Sequence, residues 1–183
     1  SSSSAASDVY KRQLGRIDVN NKEALSEITK TAVRALDNVI DLNFFPVPYA
    51  KINNEKYRPI GLGVSGYHHM LAKNEIPWES EEHLAFAERV FAEIHYAAVE
   101  ASAELAKEKG SYTYFEGSKW QNGEYFAERH LTEDRWKNLA KKVMENGMRN
   151  GYLMAIAPTG STSMIAGTTA GIDPVSYTHL TLP

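Results

Sequence analysis

The stretch GYLMAIAPTGSTSMIAG, residues 151–167, decides the expected fold. It opens with a continuous apolar run, residues 152–157, which has the length of a strand that is buried on both faces. A loop rich in hydroxyl side chains follows at residues 158–163, and residues 164–167 resemble the first turn of a short helix. This order of strand, loop and helix is typical of a parallel α/β sheet or barrel.

The loop has the composition of an anion-binding turn. Ligands of α/β folds bind at the carboxyl ends of strands, where the next helix presents unpaired N–H groups and the positive end of its dipole. Gly160 lets the backbone approach an oxyanion, and Thr159, Ser161 and Thr162 add hydroxyl donors. No Lys or Arg lies between residues 151 and 175, so amides and hydroxyls would have to hold any phosphate. The residues alone leave open a simpler role, in which Ser161 only caps the helix.

Three amphipathic helices are predicted upstream of this stretch. The first spans residues 20–42, the second runs from Ser80 to Lys109, and the third begins at Thr132 and ends at Gly147. Their predicted buried stripes are Leu25, Ile28, Ala32, Leu36 and Val39; Leu84, Ala87, Phe91, Ile94, Ala98, Ala101 and Leu105; and Trp136, Leu139 and Val143.

The segments between these helices are less regular. Residues 44–59 contain three prolines and an Asn pair, which predicts an irregular connection. Residues 60–73 are expected to form a short extended entry and then a helix, with closely packed glycines at 61, 63 and 66. Residues 111–123 are aromatic and lack a sustained period, so we expect an ordered loop with about one helical turn.

Composition excludes several classes of protein. The chain has 183 residues, of which 43% are hydrophobic and 23% charged, enough for one core. A formal net charge of -3 and the lack of a long basic run argue against a nucleic-acid partner. No long apolar span or signal peptide is found, so we expect no membrane partner and a cytoplasmic location. Zero Cys excludes disulfides, thiolate metal sites and a cysteine nucleophile within the chain.

The two ends have a different character from the middle. The first thirteen residues, SSSSAASDVYKRQ, and the last eight, SYTHLTLP, both resemble translated sequencing-adapter read-through. The expected division is therefore a non-native, disordered tail over residues 1–13, a native part over residues 14–175 and a second non-native tail over residues 176–183.

A family resemblance rests on three stretches. MRNGYLMAIAPTGSTSMIAGTTAGIDPV, residues 148–175, resembles the part of ribonucleotide reductase large subunits in which a barrel strand enters the loop that binds the substrate diphosphate. YRPIGLGVSGYHHMLAK at 57–73 and LGRIDVNN at 14–21 are similar to further parts of that family. The likeness implies an α/β fold: a fragment of a ten-stranded α/β barrel, mostly helical with a few buried strands. It also implies a substrate-binding site made of Pro158, Thr159, Gly160, Ser161 and Thr162, with Pro158 shaping the turn.

The resemblance also implies a reaction. The family replaces the ribose 2′-hydroxyl by hydrogen, using a cysteine thiyl radical and two further cysteines as reductants. Because this chain has no cysteine, we expect no catalytic residue in it and no activity from it alone. No cofactor or metal site is expected within the chain either.

Partners are implied only for the parent subunit. They are a ribonucleoside diphosphate substrate, a small subunit whose metal centre generates the radical, thioredoxin or glutaredoxin, ATP and dNTP effectors, and a second copy in a homodimer. The alternative within the family is an adenosylcobalamin-dependent reductase.

Other functional classes receive less support. Residues 61–66 match the G-x-G-x-x-G spacing of a dinucleotide-binding module, but Arg58 and Pro59 interrupt the strand that should precede it, which favours close packing. His68 and His69 are adjacent and His83 and His95 lie far apart, so neither pair suggests a chelate. A purely structural helical module would leave the hydroxyl-rich loop unexplained. Loop packing, rather than base stacking, is predicted for the aromatic residues Tyr112, Tyr114, Phe115, Trp120, Tyr125 and Phe126.

Overall fold

The computed structural model describes residues 18–174. The predicted tails, residues 1–13 and 176–183, therefore lie outside the described residues. Helices dominate the described part of the chain, and none of its helices has the length and apolar character needed to cross a membrane. They are α1 Lys22–Leu42, α2 Pro48–Tyr57, α3 Tyr67–Lys73, α4 Glu81–Lys109, α5 Glu124–Glu128, α6 Asp134–Asn146 and α7 Gly160–Ala166.

Helix α1 confirms the first predicted helix. Asn21 is its N-cap, and its side chain accepts a hydrogen bond from the backbone N–H of Ala24 at 3.0 Å. Leu25, Ala32 and Leu36 of the predicted stripe are buried. Asp37 is buried on the same helix, and a buried carboxylate requires partners elsewhere in the fold.

Helix α4 has the predicted ends but a partly different buried face. Ser80 accepts from the backbone N–H of His83 at 3.1 Å, and Gly110 ends the helix. Leu84, predicted to be buried, is 68% exposed, whereas Phe86 and Val90 are buried. The predicted buried face was wrong in the first turns of the helix. Apolar residues lie on more than one face of Glu81–Lys109 there, and the face that contacts α3 is the buried one.

Helices α1 and α4 pack side by side. Lys22 pairs with Glu93 at 3.2 Å, Lys30 with Glu100 at 2.7 Å, and Arg34 with Glu108 at 2.7 Å. The residue numbers of the paired side chains increase together along α1 and α4, so the two helices run in the same direction. A parallel pair needs a crossover connection, which α2 and α3 supply.

Helix α2 was not predicted. Residues 44–59 were expected to be an irregular connection, but Pro48–Tyr57 is helical. Proline is tolerated in the first helical turn because its missing N–H has no partner there, and Pro48 occupies that turn. The other two prolines, Pro46 and Pro59, lie outside the helix. None of the residues of α2 is buried, so no apolar stripe could reveal it.

Two extended segments pair in parallel behind the helices. The N–H of Ile60 donates to the carbonyl of Tyr152 at 3.0 Å, and the N–H of Ala155 donates to the carbonyl of Leu62 at 3.0 Å. They form a single parallel bridge, Leu62 to Met154, rather than a full strand pair. The parallel sense agrees with the predicted α/β organisation.

The expected burial of residues 152–157 on both faces was wrong. Leu153 is buried, but Tyr152 is 65% and Ile156 72% exposed. A strand is buried on both faces only when other elements cover both. Within residues 18–174, Leu153 packs into the core, whereas residues 154–157 are all exposed.

The glycines at 61, 63 and 66 have packing roles. A Cβ on Gly63 would overlap the carbonyl oxygen of Ala155, and one on Gly66 would overlap the side chain of Thr168. Gly66 also has a φ of 81°, which side chains rarely adopt. Close approach of these backbones accounts for the glycine spacing, which supports packing over dinucleotide binding.

Helix α6 confirms the predicted stripe and end, but it begins at Asp134 with Glu133 as N-cap rather than at Thr132. Trp136, Leu139 and Val143 are buried, and Gly147 ends the helix. Helix α6 packs against α4, so its stripe and the buried face of α4 form one core. Residues 148–151 then lead from the end of α6 to the paired extended segments.

Candidate functional site

The predicted loop, residues 158–163, follows the extended segment, but the helix begins at Gly160 rather than at Met164, so residues 160–163 belong to α7. Thr159 is the N-cap of α7, and Gly160, Ser161 and Thr162 form its first turn. The first N–H groups of any helix lack partners within that helix, so this turn offers amide donors. Gly160 and Ser161 are exposed, whereas Thr159 is buried. The helix cap is Thr159 rather than Ser161, so the simpler role considered for Ser161 is not the one observed.

A cleft of about 560 Å³ opens beside this turn. Pro158, Thr159 and Gly160 of the predicted site line it, together with residues 170–174. Ser161 and Thr162 do not line the cleft, so the structure brings three of the five predicted residues together there. Of the described residues that line the cleft, Asp173 alone carries a charge.

Hydrogen bonds close the loop on itself. The N–H of Gly171 donates to Thr159 Oγ1 at 2.8 Å, which joins the two sides of the cleft. Ser163 Oγ donates to the carbonyl of Gly160 at 2.8 Å, and Thr162 Oγ1 donates to the carbonyl of Thr159 at 3.3 Å. The hydroxyl of Thr159 therefore has a structural role as an acceptor, and its proton is still free to be donated.

A buried polar cluster anchors the segment that leads to the loop. We call Asp37, Arg58, Ser102, Arg149 and Asn150 the Asp37 cluster. Asp37 accepts from Arg58 Nε at 2.9 Å, from Asn150 Nδ2 at 3.1 Å and from Arg149 Nε at 3.3 Å. Ser102 Oγ donates to Asn150 Oδ1 at 3.0 Å and accepts from the Asn150 N–H at 3.0 Å. The cluster thus ties α1, α4 and the end of α2 to residues 149–150.

Charge pairing balances the cost of burying this cluster. Burial alone would lower the pKa of Arg58, but the carboxylates of Asp41 and Asp37 outweigh it and hold that pKa above its ordinary value. Burial would likewise raise the pKa of Asp41, and the hydrogen bond and charge of Arg58 lower it instead. Arg58 has a φ of 44°, a left-handed conformation uncommon for a residue with a side chain. Its contacts with Asp37 are well placed to offset that strain.

Most aromatic residues of the 112–126 region pack as predicted, but Tyr114 is 43% exposed. Tyr112, Trp120 and Phe126 are buried, and the rings of Trp120 and Tyr125 stack with centroids 3.6 Å apart. The guanidinium of Arg129 lies 3.8 Å from the Tyr125 ring, a cation that the fold brings beside the aromatic residues. The Nε1–H of Trp120 donates to the carbonyl of Gly151 at 3.2 Å, so this packing also steadies the start of the loop-bearing segment.

His95 belongs to the same packing. Its Nε2 lies 2.8 Å from Tyr125 Oη, and its ring centroid lies 5.0 Å from that of Trp136. Burial, reinforced by the nearby charge of Arg129, lowers the pKa of His95 to about 4. Among residues 18–174, no group of three or more His, Cys, Asp or Glu side chains is placed to hold a metal ion.

Sequence reasoning missed three features of the site. The far wall of the cleft, residues 170–174, carries no motif that marks it. Thr168 and Thr169 contact α3, a relation between distant residues that no local pattern reveals. The Asp37 cluster was also missed, although an Asp on the buried stripe of an amphipathic helix is a signal that could have found it.

Comparison with known proteins defines the class. The family model described as "Ribonucleotide reductase, barrel domain" matches residues 11–181. The chain therefore belongs to the ribonucleotide reductase family, and its mostly helical structure is part of that barrel domain.

Relatives from three organisms carry the name ribonucleoside-diphosphate reductase. The chain is 57% identical over 162 residues to the ribonucleoside-diphosphate reductase subunit alpha of Treponema pallidum, which covers 88% of this chain and 19% of that protein. It is 45% identical over 170 residues to the subunit alpha of Helicobacter pylori, covering 86% of this chain and 22% of that one. It is 38% identical over 166 residues to ribonucleoside-diphosphate reductase large chain 2 of Saccharomyces cerevisiae, covering 88% and 19%. The chain spans about a fifth of the length of these relatives.

Proposed function

We propose that this chain provides the loop that binds the substrate diphosphate in the catalytic subunit of a ribonucleoside-diphosphate reductase. The observation that carries the proposal is the first turn of α7, in which Gly160 lines the cleft at the end of the extended segment and Ser161 is exposed next to it. Family membership supplies the reaction class, and the names of the relatives specify ribonucleoside diphosphates.

The chemistry of the loop suits a ligand that must leave again. The amides of Gly160, Ser161 and Thr162 donate to phosphate oxygens, and the exposed hydroxyl of Ser161 adds a donor at the edge of the cleft. Gly160 has no neighbouring atom within 4 Å of the position that a Cβ would occupy, so a phosphate can approach its backbone. Without a Lys or Arg in residues 151–175, binding stays moderate and exchange is quick.

Asp173 sets the orientation of the ligand in the cleft. A carboxylate repels a phosphate and accepts hydrogen bonds from hydroxyl groups. The diphosphate therefore lies toward the first turn of α7, and the neutral, hydroxyl-bearing part of the nucleotide lies toward Asp173.

The remaining parts of the reaction belong to the rest of the parent subunit and its partners. Thiyl-radical chemistry needs cysteines, and this chain has none. The proposed partners are a small subunit that generates the radical at its metal centre, thioredoxin or glutaredoxin as reductant, and a second copy of the parent subunit, with ATP and dNTP as effectors. The designation subunit alpha in the relatives supports a further subunit.

The open side of residues 152–157 fits the same proposal. Tyr152 and Ile156 are exposed here, and their burial would complete a strand that is covered on both faces. We assign that cover to the remaining strands of the barrel in the parent subunit, where residues 58–64 and 151–157 would be two neighbouring parallel strands.

Binding of inorganic pyrophosphate to the purified chain tests the loop. In a ¹H–¹⁵N NMR titration, pyrophosphate should shift the amide signals of Gly160, Ser161 and Thr162. Gly160→Val should remove this response, because its side chain would fill the space through which the anion approaches while meeting no neighbour in the fold.

The matched control is Met164→Val, which places the same side chain on an exposed position of the same helix. It should leave the pyrophosphate response unchanged. Pyrophosphate shifts that persist in Gly160→Val, or that avoid residues 159–162 in the wild type, would contradict the proposed loop. Reduction of any ribonucleotide by the purified chain would contradict the assignment of the chemistry to other parts of the parent subunit.

A further inference from the structure

The start of α3 contacts the chain that returns from α7. His69 Nδ1 lies 3.1 Å from Thr168 Oγ1, and the backbone N–H of His69 donates to Thr169 Oγ1 at 3.2 Å. The N–H of Gly66 donates to the carbonyl of Thr169 at 2.8 Å. These contacts connect the phosphate loop region to a helix that belongs to the core of the fold.

Hydrogen bonds continue from Thr168 to the loop. The N–H of Thr168 donates to the carbonyl of Ser163 at 3.0 Å. Ser163 in turn donates from its N–H to the carbonyl of Thr159 at 2.9 Å and from its hydroxyl to the carbonyl of Gly160 at 2.8 Å. Because Ser163 and Thr159 are buried, a shift of Thr168 displaces the first turn of α7 rather than only the surface.

Helix α7 depends on such external contacts for its orientation. A helix of seven residues is too short to be stable by itself. Its large apolar side chains, Met164 and Ile165, are 82% and 71% exposed, so they provide little packing within the described part of the chain. The hydrogen bonds at its two ends, at Thr159 and at Thr168, are therefore what fixes it.

We propose that His69 is a positioning residue for the substrate-phosphate loop and acts through the hydroxyl of Thr168. The proposal rests on the proposed function, since it concerns how the same loop is held. His69 does not touch the ligand; it fixes Thr168 so that the first turn of α7, with Gly160 at the cleft, keeps its position. His68, one residue earlier, packs instead against Trp78, with ring centroids 6.1 Å apart.

Thr168→Val in the complete 183-residue chain tests the contact, because it removes the hydroxyl and keeps the shape. The amide signals of Gly160, Ser161 and Thr162 should move and their hydrogen exchange should speed up. The dissociation constant for inorganic pyrophosphate should rise about threefold to tenfold, as expected for loss of one hydrogen bond. His69→Ala should have the same effect. His69→Asn should restore most of the affinity, because its side-chain oxygen can accept from Thr168.

Two controls separate positioning from general damage. His68→Ala should leave the loop amides unchanged, and the amide signals of α1 and α4 should be the same in all variants. Unchanged loop amides in Thr168→Val, or equal losses in His69→Asn and His69→Ala, would overturn the positioning role. If the wild-type chain does not respond to pyrophosphate, the proposed function is wrong. If the loop amides of Thr168→Val nevertheless move, the contact with His69 still positions the loop, so the two proposals fail independently.

Discussion

Single residues in this chain divide into those that hold the fold and those that belong to the exposed turn at the start of α7. Asp37 is fully buried, and its carboxyl group accepts hydrogen bonds from Arg58, at the end of α2, and from Arg149 and Asn150. Ser161 is exposed and has no such role. The position of the loop therefore depends on buried residues far from it in sequence.

Asp37→Asn should strongly destabilise the chain. The change leaves Arg58 and Arg149 without their central buried partner, and loss of one member of a buried ion pair costs about 3–5 kcal/mol. Urea denaturation followed by circular dichroism would measure the change in the free energy of unfolding. Asp41→Asn is the control: its side chain is 43% exposed and also contacts Arg58, so the loss should stay below about 1 kcal/mol. Equal effects of the two changes would show that burial of the cluster is not what matters.

At the scale of elements, helices with a buried stripe and explicit ends could be predicted from the sequence. Ser80 and Gly147 mark ends that the structure confirms. Helix α2 could not be predicted, because none of its residues is buried and its prolines suggested a break. Local sequence patterns predict a helix from its buried stripe and its caps, so they do not predict a helix that has neither.

The candidate site was predictable only in its local part. The turn at 158–162 follows an apolar run in the sequence, as α/β ligand loops do. The opposite wall of the cleft, residues 170–174, is brought back by a hydrogen bond across 12 positions, and the contact between His69 and Thr168 spans 99 positions, so neither follows from a local pattern. Whether residues 152–157 are buried depends on which other elements cover them. Their apolar character alone could therefore not predict their exposure in the described part of the chain.

The ends of α4 and α6 allow a matched test of helix termination. Gly110 and Gly147 both have a φ of 87°, so alanine is strained at either position, at a cost of about 1–3 kcal/mol. A Cβ at Gly147 would in addition overlap the side chain of Ser111, whereas one at Gly110 meets nothing within 4 Å. Gly147→Ala should therefore lower the free energy of unfolding more than Gly110→Ala does.

The double variant Gly147→Ala with Ser111→Gly identifies the cause. It removes the overlapping side chain. Its free energy of unfolding, measured by urea denaturation, should therefore rise from that of Gly147→Ala to that of Gly110→Ala. If the double variant is no more stable than Gly147→Ala, the overlap with Ser111 is not the reason for the extra loss.

At the scale of the whole molecule, helices pack on one side of the two parallel extended segments and cover them only in part. The core joins α1, α4 and α6, and the aromatic residues around Trp120 connect it to residue 151. His95 lies within that connection, against Tyr125 and Trp136. Its ionisation therefore affects the stability of the whole chain.

Stability should fall as the pH drops from about 6.5 toward 4. The pKa of His95 is about 4 in the folded chain and ordinarily 6.5, so the unfolded chain binds an extra proton in this range. One pKa unit corresponds to about 1.36 kcal/mol, so the free energy of unfolding should fall by about 3 kcal/mol by pH 4. Urea denaturation at several pH values would measure it.

His95→Gln provides the comparison for this effect. It keeps a side chain that can accept a hydrogen bond from Tyr125 and removes the titrating ring. Its stability should vary much less between pH 6.5 and 4.5, above the range in which the paired carboxylates of Glu93 and Asp41 become protonated. A wild-type slope that persists in His95→Gln would assign the pH effect to other groups.

The long reach of the Asp37 cluster has a consequence for synthesis of the chain. Asp37 meets Asn150 across 113 positions of sequence and Arg149 across 112. A nascent chain that has left the ribosome only as far as Gly147 contains all three long helices but lacks both of these donors. Packing of these helices around the buried Asp37 therefore awaits the next three residues, and residues 158–162 are made only after them.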